Sequence, residues 1–248
     1  MGEEKPAFVD IHCHILPGVD DGAENTEQAV ALLQQAWEDG IGTVVLTPHY
    51  RGRYRGNVEK RIRPRFEHLQ REIRHLLPDM ELYLGSEIGY ELDVSEKLTD
   101  GTLLSMNGTR YVLLEFRSNC FRSRVMEGVL ELINFGYVPI IAHAERYEIF
   151  LNNKDIADEV LGLGALIQIN ADSVLGKRGL KTRWFCQRML RQRKVHFIAT
   201  DAHDHENRPP QLRKCYELVR RKYGEAYAQA LFSGNARVVL SGGENIEY

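Results

Sequence analysis

Five of the nine histidines in this 248-residue chain sit in short polar clusters directly after apolar runs: Asp10-Ile-His-Cys-His14, Thr47-Pro-His49, Ala142-His-Ala144 and Thr200-Asp-Ala-His203. Glu87 and Glu115 occupy equivalent places after Met80–Ser86 and Tyr111–Leu114. Residues two apart in an extended segment point the same way, so His12 and His14 can hold one ion together while Cys13 turns elsewhere, and Asp201 with His203 repeats that spacing. Burying so many ionisable groups in one place is costly unless cations share it. Mixed imidazole and carboxylate donors without cysteine favour manganese, iron or zinc over calcium or magnesium. The donors outnumber what one ion uses, and two or three ions bridged by a carboxylate are suited to hydrolysing a phosphoester.

Seven apolar runs are read as strands and carry these residues: 8–11, 43–47, 81–84, 110–114, 138–142, 165–169 and 195–199. They lack strict alternation, as strands buried on both faces of a parallel sheet do. Helical patterns intervene. Asn25 or Thr26 caps one with Ala29, Val30, Leu33, Ala36 and Trp37 on its apolar face and Gly40 just past its end. A second carries Phe66, Leu69, Ile73 and Leu76, with Pro64 at its first turn or a kink. Others cover 122–135, 155–163, 181–192 and 210–223, with a short set beyond Gly224. Repeated strand–helix alternation predicts an α/β barrel spanning residues 1–248 as a single domain. His12, His49, Glu87, Glu115, His143 and Asp201 each follow the C-terminal end of a strand, the face where barrel enzymes keep their chemistry. The sixth run ends in Gln168-Ile-Asn170, polar but poor in metal ligands.

A net charge of -3 gives no bulk affinity for nucleic acid or anionic membrane. The polar start, Met1–Pro6, lacks a signal sequence, and no run approaches the ~20 apolar residues of a membrane helix, so a cytoplasmic protein is expected. Cys13, Cys120, Cys186 and Cys215 are too irregularly spaced for a disulfide framework or thiolate zinc site.

Taken in order, Asp10-Ile-His-Cys-His14, Asp20-Asp-Gly22, Thr47-Pro-His49, Gly85-Ser-Glu87, Leu113-Leu-Glu115, Ala142-His-Ala-Glu-Arg146 and Thr200-Asp-Ala-His203 resemble the motifs of the polymerase and histidinol phosphatase (PHP) superfamily. Ile15–Ala23, His143–Tyr147 and Arg208-Pro-Pro210 narrow the resemblance to the bacterial protein-tyrosine phosphatases of capsule and exopolysaccharide operons. That resemblance implies a distorted seven-stranded (β/α)7 TIM-like barrel holding three divalent metal ions, with manganese favoured and iron or zinc as alternatives. By the same resemblance His12, His14, Glu87 and Asp201 hold the first ion, Glu87, Glu115 and His143 the second, and Asp21, His49 and His203 the third. Arg146 and Arg208 match arginines that contact phosphate. The implied reaction is in-line attack on phosphorus by hydroxide formed at the ions; Asp201 and His203 are candidates for assisting the leaving phenolate, with the general acid unassigned. The implied partner is a phosphotyrosine protein, the tyrosine-rich tail of a cognate bacterial tyrosine kinase. Within the superfamily the rivals are a small-molecule phosphatase resembling histidinol phosphatase, a nuclease, and a non-catalytic kinase-binding scaffold; absence of a second domain and of nucleic-acid motifs weighs against the nuclease.

Cys215 and Arg221 match the Cys-x5-Arg spacing of thiol-dependent tyrosine phosphatases, but the segment lacks phosphate-wrapping glycines and reads as the apolar stripe of a helix. The basic stretch Arg51–Arg65, with Tyr50 and Tyr54, reads either as a flap attracting an acidic substrate or as a solvated loop and helix start. His68, His75 and His196 read as structural or solvated; Asp204 and His205 read as neighbours of the ligand set, with Asp204 adding negative charge there.

Overall fold

The computed structural model describes residues 7–51 and 58–247, with only the backbone described at Glu59. Nine strands fall in two parallel sheets among the described residues. β1 (Phe8–Cys13), β2 (Ile41–Leu46) and β4 (Glu81–Leu84) form one, in the order β1-β2-β4. The other runs β3-β5-β6-β7-β8-β9, comprising β3 (His49–Tyr50), β5 (Glu87–Gly89), β6 (Tyr111–Glu115), β7 (Val138–Ile141), β8 (Leu166–Asn170) and β9 (Phe197–Ala199).

Each of the seven expected runs contains a strand. β3 and β5 are additional, and each begins where the chain breaks from one sheet and enters the other. Pro48, which has no backbone N–H, interrupts the ladder between β2 and β3, and Gly85-Ser86 separates β4 from β5. Two hydrogen bonds cross these breaks, from Gly85 N–H to Leu46 O and from Glu87 N–H to Pro48 O. At the opposite margin the Cys13–Ala202 bridge, together with Asp201 N–H to His12 O at 2.8 Å and His14 N–H to Ala202 O at 2.8 Å, joins the end of β9 to β1.

Helices α1 (Thr26–Glu38), α2 (Arg63–Leu76), α3 (Val94–Thr99), α4 (Arg122–Asn134), α5 (Glu148–Asn152), α6 (Ile156–Gly162), α7 (Ala171–Leu175), α8 (Leu180–Arg191), α9 (Arg213–Tyr223), α10 (Glu225–Gln229) and α11 (Asn235–Ser241) occupy the connections and the end of the chain. Asn25 caps α1 by accepting the Gln28 N–H, and Gly40 follows at φ +95. Pro64 lies in the first turn of α2. α9 starts at Arg213, later than Pro210, with Asp39 accepting the N–H groups of Leu212 and Arg213 at its entry.

Strand alternation sorts two cores. Val9, Ile11, Val45, Tyr111, Leu113, Ile140, Leu166 and Phe197 cluster on one face with Ala236 and Val239 of α11. Val44, Leu46, Val112, Leu114, Ile141, Ile167 and Ile198 face the helices in the larger core. Following the first face two residues at a time leads from Leu113 to Glu115, from Leu166 to Gln168 and Asn170, and from Phe197 and Ala199 to Asp201. The same surface that is apolar low in the strands therefore becomes polar at their C-terminal ends. On β1 the pairing with β2 is irregular between Asp10 and Cys13, and that irregularity lets His12 join the polar end although its neighbour Ile11 lies in the apolar cluster.

Candidate metal centre

All nine residues expected as ligands converge at this polar end, and all but Asp21 are buried. Glu87 is central. Its Oε1 lies 2.7 Å from His143 Nε2 and 3.3 Å from His12 Nε2; its Oε2 lies 2.6 Å from His49 Nδ1 and 3.3 Å from His14 Nε2. Asp201 Oδ1 stands 3.6 Å from His12 Nε2 and 3.4 Å from His14 Nε2. Asp21 Oδ1 reaches His49 Nε2 at 3.4 Å and His203 Nε2 at 3.6 Å. Four groupings place their donor atoms within 4.8 Å of one another: His14, Asp21, His49 and His203; His12, His14 and Glu87; His12, His143 and Asp201; His49, Glu87 and Glu115. Those sets overlap the expected ligand sets, with His14 joining the Asp21 group and with His49 and His143 both 3.8 Å from Glu115 and 2.6 and 2.7 Å from Glu87.

Backbone shape delivers two of these side chains. His143 and Asp201 hold positive φ, +31 and +54, a conformation that non-glycine residues adopt at a cost and that is common at functional sites. Gly22 serves the loop bearing Asp20 and Asp21: a Cβ there would meet the His14 carbonyl oxygen at 1.7 Å, so only glycine lets that loop lie against β1.

A ring of polar residues that the sequence reading left unassigned orients the ligands. Asp20 accepts from His14 Nδ1 at 2.8 Å and from the His49 N–H at 2.9 Å. Gln168 Oε1 accepts from His12 Nδ1 at 3.0 Å and from the His143 N–H at 2.8 Å, and its amide donates to Asn170, which in turn donates to Asp201 at 2.9 Å. The Asp201 carbonyl accepts from His203 Nδ1 at 3.0 Å. Engaging Nδ1 fixes the tautomer and leaves Nε2 of His12, His14 and His203 as the donor toward a metal. The strand end without ligands, β8, is thus the one that aims them. Asp10 holds Thr200 through its hydroxyl and N–H. Asp204 accepts the N–H groups of Glu206 and Asn207 at 2.8 and 2.6 Å; it shapes the loop presenting Arg208, and its negative charge and His203 act on each other.

The electrostatics are those of a crowded, buried cluster of ionisable groups. Burial and the neighbouring Glu87 push Glu115 up to about 8, even though Arg51 lies 2.7 Å away. Burial opposes charge on Glu87 and Asp201 as well, but for Glu87 the rings of His12 and His49, and for Asp201 His12 and Arg146, outweigh it and hold both well below the usual carboxylate range. Burial, reinforced by Arg146, lowers His143 to about 4; burial, reinforced by His14, does the same to His203. Glu115 Oε2 and His143 Nδ1 are buried and make no hydrogen bond, as atoms reserved for metal coordination would be. The donor set therefore fits divalent cations. Both arginines reach the same anion: Arg146 Nη2 contacts Asp201 Oδ2, and Arg208 Nη2 lies 2.6 Å from Asp201 Oδ1.

Other candidates lie elsewhere. Cys215 is fully buried on α9 and burial raises its thiol far from ionisation, so it is no nucleophile. His68 and His75 are exposed on α2, His196 accepts the Ile167 N–H, and His205 contacts Gln35. Within the basic stretch, Arg53, Tyr54 and Arg55 lie outside the described residues, whereas Arg51 pairs with Glu115.

The sequence pattern of a family described as capsular polysaccharide synthesis, CpsB/CapC, matches residues 8–241. The chain belongs to this family. Among CpsB/CapC relatives, the tyrosine-protein phosphatase CpsB of Streptococcus pneumoniae is 32% identical over 242 residues, covering 94% of this chain and 98% of that protein. Tyrosine-protein phosphatase YwqE of Bacillus subtilis is 30% identical over 235 residues, covering 94% and 91%. A crystal structure from work on YwqE and CpsB, described as unique metal-dependent tyrosine phosphatases, superposes with a TM-score of 0.90 at 28% identity over 97% of both chains. A Mycobacterium tuberculosis phosphotriesterase superposes with a TM-score of 0.63 at 11% identity over 97% of this chain and 96% of that one, a likeness of fold.

Proposed function

We propose that this CpsB/CapC protein is a metal-dependent protein-tyrosine phosphatase, acting in the cytoplasm on the tyrosine-rich tail of a cognate bacterial tyrosine kinase that governs capsule or exopolysaccharide synthesis. The observation that carries the reading is the convergence of five imidazoles, four carboxylates and two arginines around Glu87 and Asp201. Family membership separates it from a small-molecule phosphatase built on the same ligands. In this reading the chain is one domain, and the β2–β3 and β4–β5 pairs are two broken strands of a distorted seven-stranded barrel.

Three divalent ions, manganese by preference with iron or zinc as alternatives, complete the centre; His12, His14, Glu87 and Asp201, then Glu87, Glu115 and His143, then Asp21, His49 and His203 would hold them. Bound divalent ions supply Lewis acidity, acidifying a water nucleophile and neutralising phosphoryl oxygens. The chain's own residues do the rest. Arg146 and Arg208, both directed at Asp201, offer planar forks to the phosphoryl oxygens and hold phosphorus in line. Asp20 and Gln168 fix the imidazoles so that no reorganisation accompanies the reaction. A phenol of pKa ~10 leaves with only modest proton assistance.

The test is hydrolysis of phosphotyrosine and phosphoserine peptides by metal-stripped protein resupplied with manganese, zinc or magnesium. Phosphotyrosine turnover restored by manganese or zinc is expected; no response to either ion sinks the mechanism.

A further inference from the structure

A cleft of about 390 Å³ is lined by Arg146 and Arg208, the two arginines that contact Asp201, with Arg178, Ser173, Thr182 and the buried Glu145. Two of these side chains belong to the phosphoryl-binding pair. Arg178 does not. Its Nε is held by Asp172 at 2.5 Å, its side chain is 42% exposed, and among the described residues its two terminal nitrogens make no hydrogen bond. Asp172 thereby orients a guanidinium whose fork remains available.

Arg178 lies in a segment of distinctive composition. From Gly176 to Trp184 the chain has four cations, Lys177, Arg178, Lys181 and Arg183, and no carboxylate. Among the described residues Lys177, Lys181 and Arg183 make no ion pair, and Lys181 contacts only the neutral Asn152 side chain. Leu180 and Trp184, one helical turn apart at the start of α8, are 65% and 67% exposed. Spacing of four places them on one face. Exposed large apolar groups set among unpaired cations, at the rim of a cleft leading to the phosphoryl-binding arginines, form a surface complementary to an acidic chain with an apolar residue in it.

We infer that the 177–184 rim is a docking ledge for acidic residues flanking the phosphotyrosine of the protein substrate, with Arg178 reading the acidic side chain nearest the cleft and Leu180 and Trp184 seating an apolar neighbour. The inference rests on the phosphotyrosine reading and specifies which phosphotyrosines are taken. It also assigns substrate selection to side chains that touch no metal ligand.

The experiment compares kcat/KM for paired phosphotyrosine peptides, flanked by Asp and Glu or by Asn and Gln, together with phenyl phosphate, which has no flank. The wild-type enzyme should favour the acidic peptide by roughly tenfold, expressed in KM, and the preference should shrink as salt is raised. In Arg178→Gln, and in the doubly charge-reversed Lys177→Glu/Lys181→Glu, the ratio should fall toward one or invert, and Trp184→Ala should weaken both peptides relative to phenyl phosphate. An acidic preference left intact by both charge variants, or no preference in the wild type, overturns the ledge. If the manganese-loaded wild type hydrolyses neither phenyl phosphate nor any phosphotyrosine peptide, the phosphatase reading itself fails. Fluorescence anisotropy of the same peptides, labelled, then decides the ledge separately: equal binding of acidic and neutral forms rejects it.

Discussion

On β6, Leu113 and Glu115 lie two residues apart, face the same way and are both closed off from solvent. Around Leu113 the interior is uniformly apolar, joined by Val9, Ile11, Ile140 and Phe197 and covered by Val239 of α11. Around Glu115 it is crowded with carboxylates and imidazoles. Burial of the first kind stabilises the fold by roughly 25 cal/mol per Å² of apolar surface. The second kind opposes folding, because ionisable groups are removed from water and set against like charges, as the upward displacement of Glu115 records. One set of strands therefore carries a stabilising half and a reactive half, and the first offsets the second.

This contrast breaks most sharply at Glu87. Glu87→Gln removes the charge shared by four histidines, and kcat for phosphotyrosine should fall by more than the ~10²–10³-fold that follows loss of a single electrostatic stabiliser, while circular dichroism retains the α/β signature. Activity within tenfold of wild type would contradict a central role. Leu113→Ala, one step down the same face, should do the reverse: about 2–5 kcal/mol lost in urea denaturation, with turnover per folded molecule retained. A third test moves away from the metal-binding end. His196 is buried behind β9 and its pKa is lowered to about 4 by burial. A histidine whose pKa is lower folded than unfolded contributes stability that is complete above about pH 6.5 and is lost as pH falls toward 4. Thermal midpoints of wild type should drop across that window, and His196→Gln should flatten the drop by roughly 2–3 kcal/mol; parallel curves would refute the assignment. The smallest effect is expected at Gln168, which touches no proposed substrate atom. Gln168→Ala should weaken manganese binding or activity by about 10–100-fold, visible by calorimetry, and unchanged metal affinity would show that β8 does not aim the histidines.

Much of this was readable before the fold was known, and the parts that were not share a cause. The seven apolar runs locate strands because a strand buried on both faces leaves a contiguous apolar signature. Asn25 and Gly40 bracket α1 because capping is local. The breaks after Leu46 and Leu84 are weaker signals: β3 and β5 are only two and three residues long, too short for periodicity. Short α3, α5 and α7 escape for the same reason. In the candidate metal centre, the residue types able to bind metal stand out in the sequence. The residues orienting them did not, since His12 meets Gln168 across 156 positions and Thr200 meets Asp10 across 190, and an amide or threonine is unremarkable until topology brings it to its partner. Asp20 is the exception. It neighbours Asp21 in an Asp-Asp-Gly turn, and the 1.7 Å clash that any Cβ at Gly22 would meet explains why the turn takes that form.

The seam between β1 and β9 has a consequence for biosynthesis. His12 and His14 leave the ribosome early, while Asp201, His203 and the Ala202 carbonyl that receives the His14 N–H come nearly two hundred residues later. At about 5–20 residues per second, the first histidines wait on the order of ten seconds or more before the strand that completes their surroundings exists. Until then the proposed ligand set is incomplete, and closing so long a loop places its assembly among the slower, non-local events of folding. Under the proposed ligand assignment, activity can begin only once the chain has been made through His203 and the end of β9 has met β1.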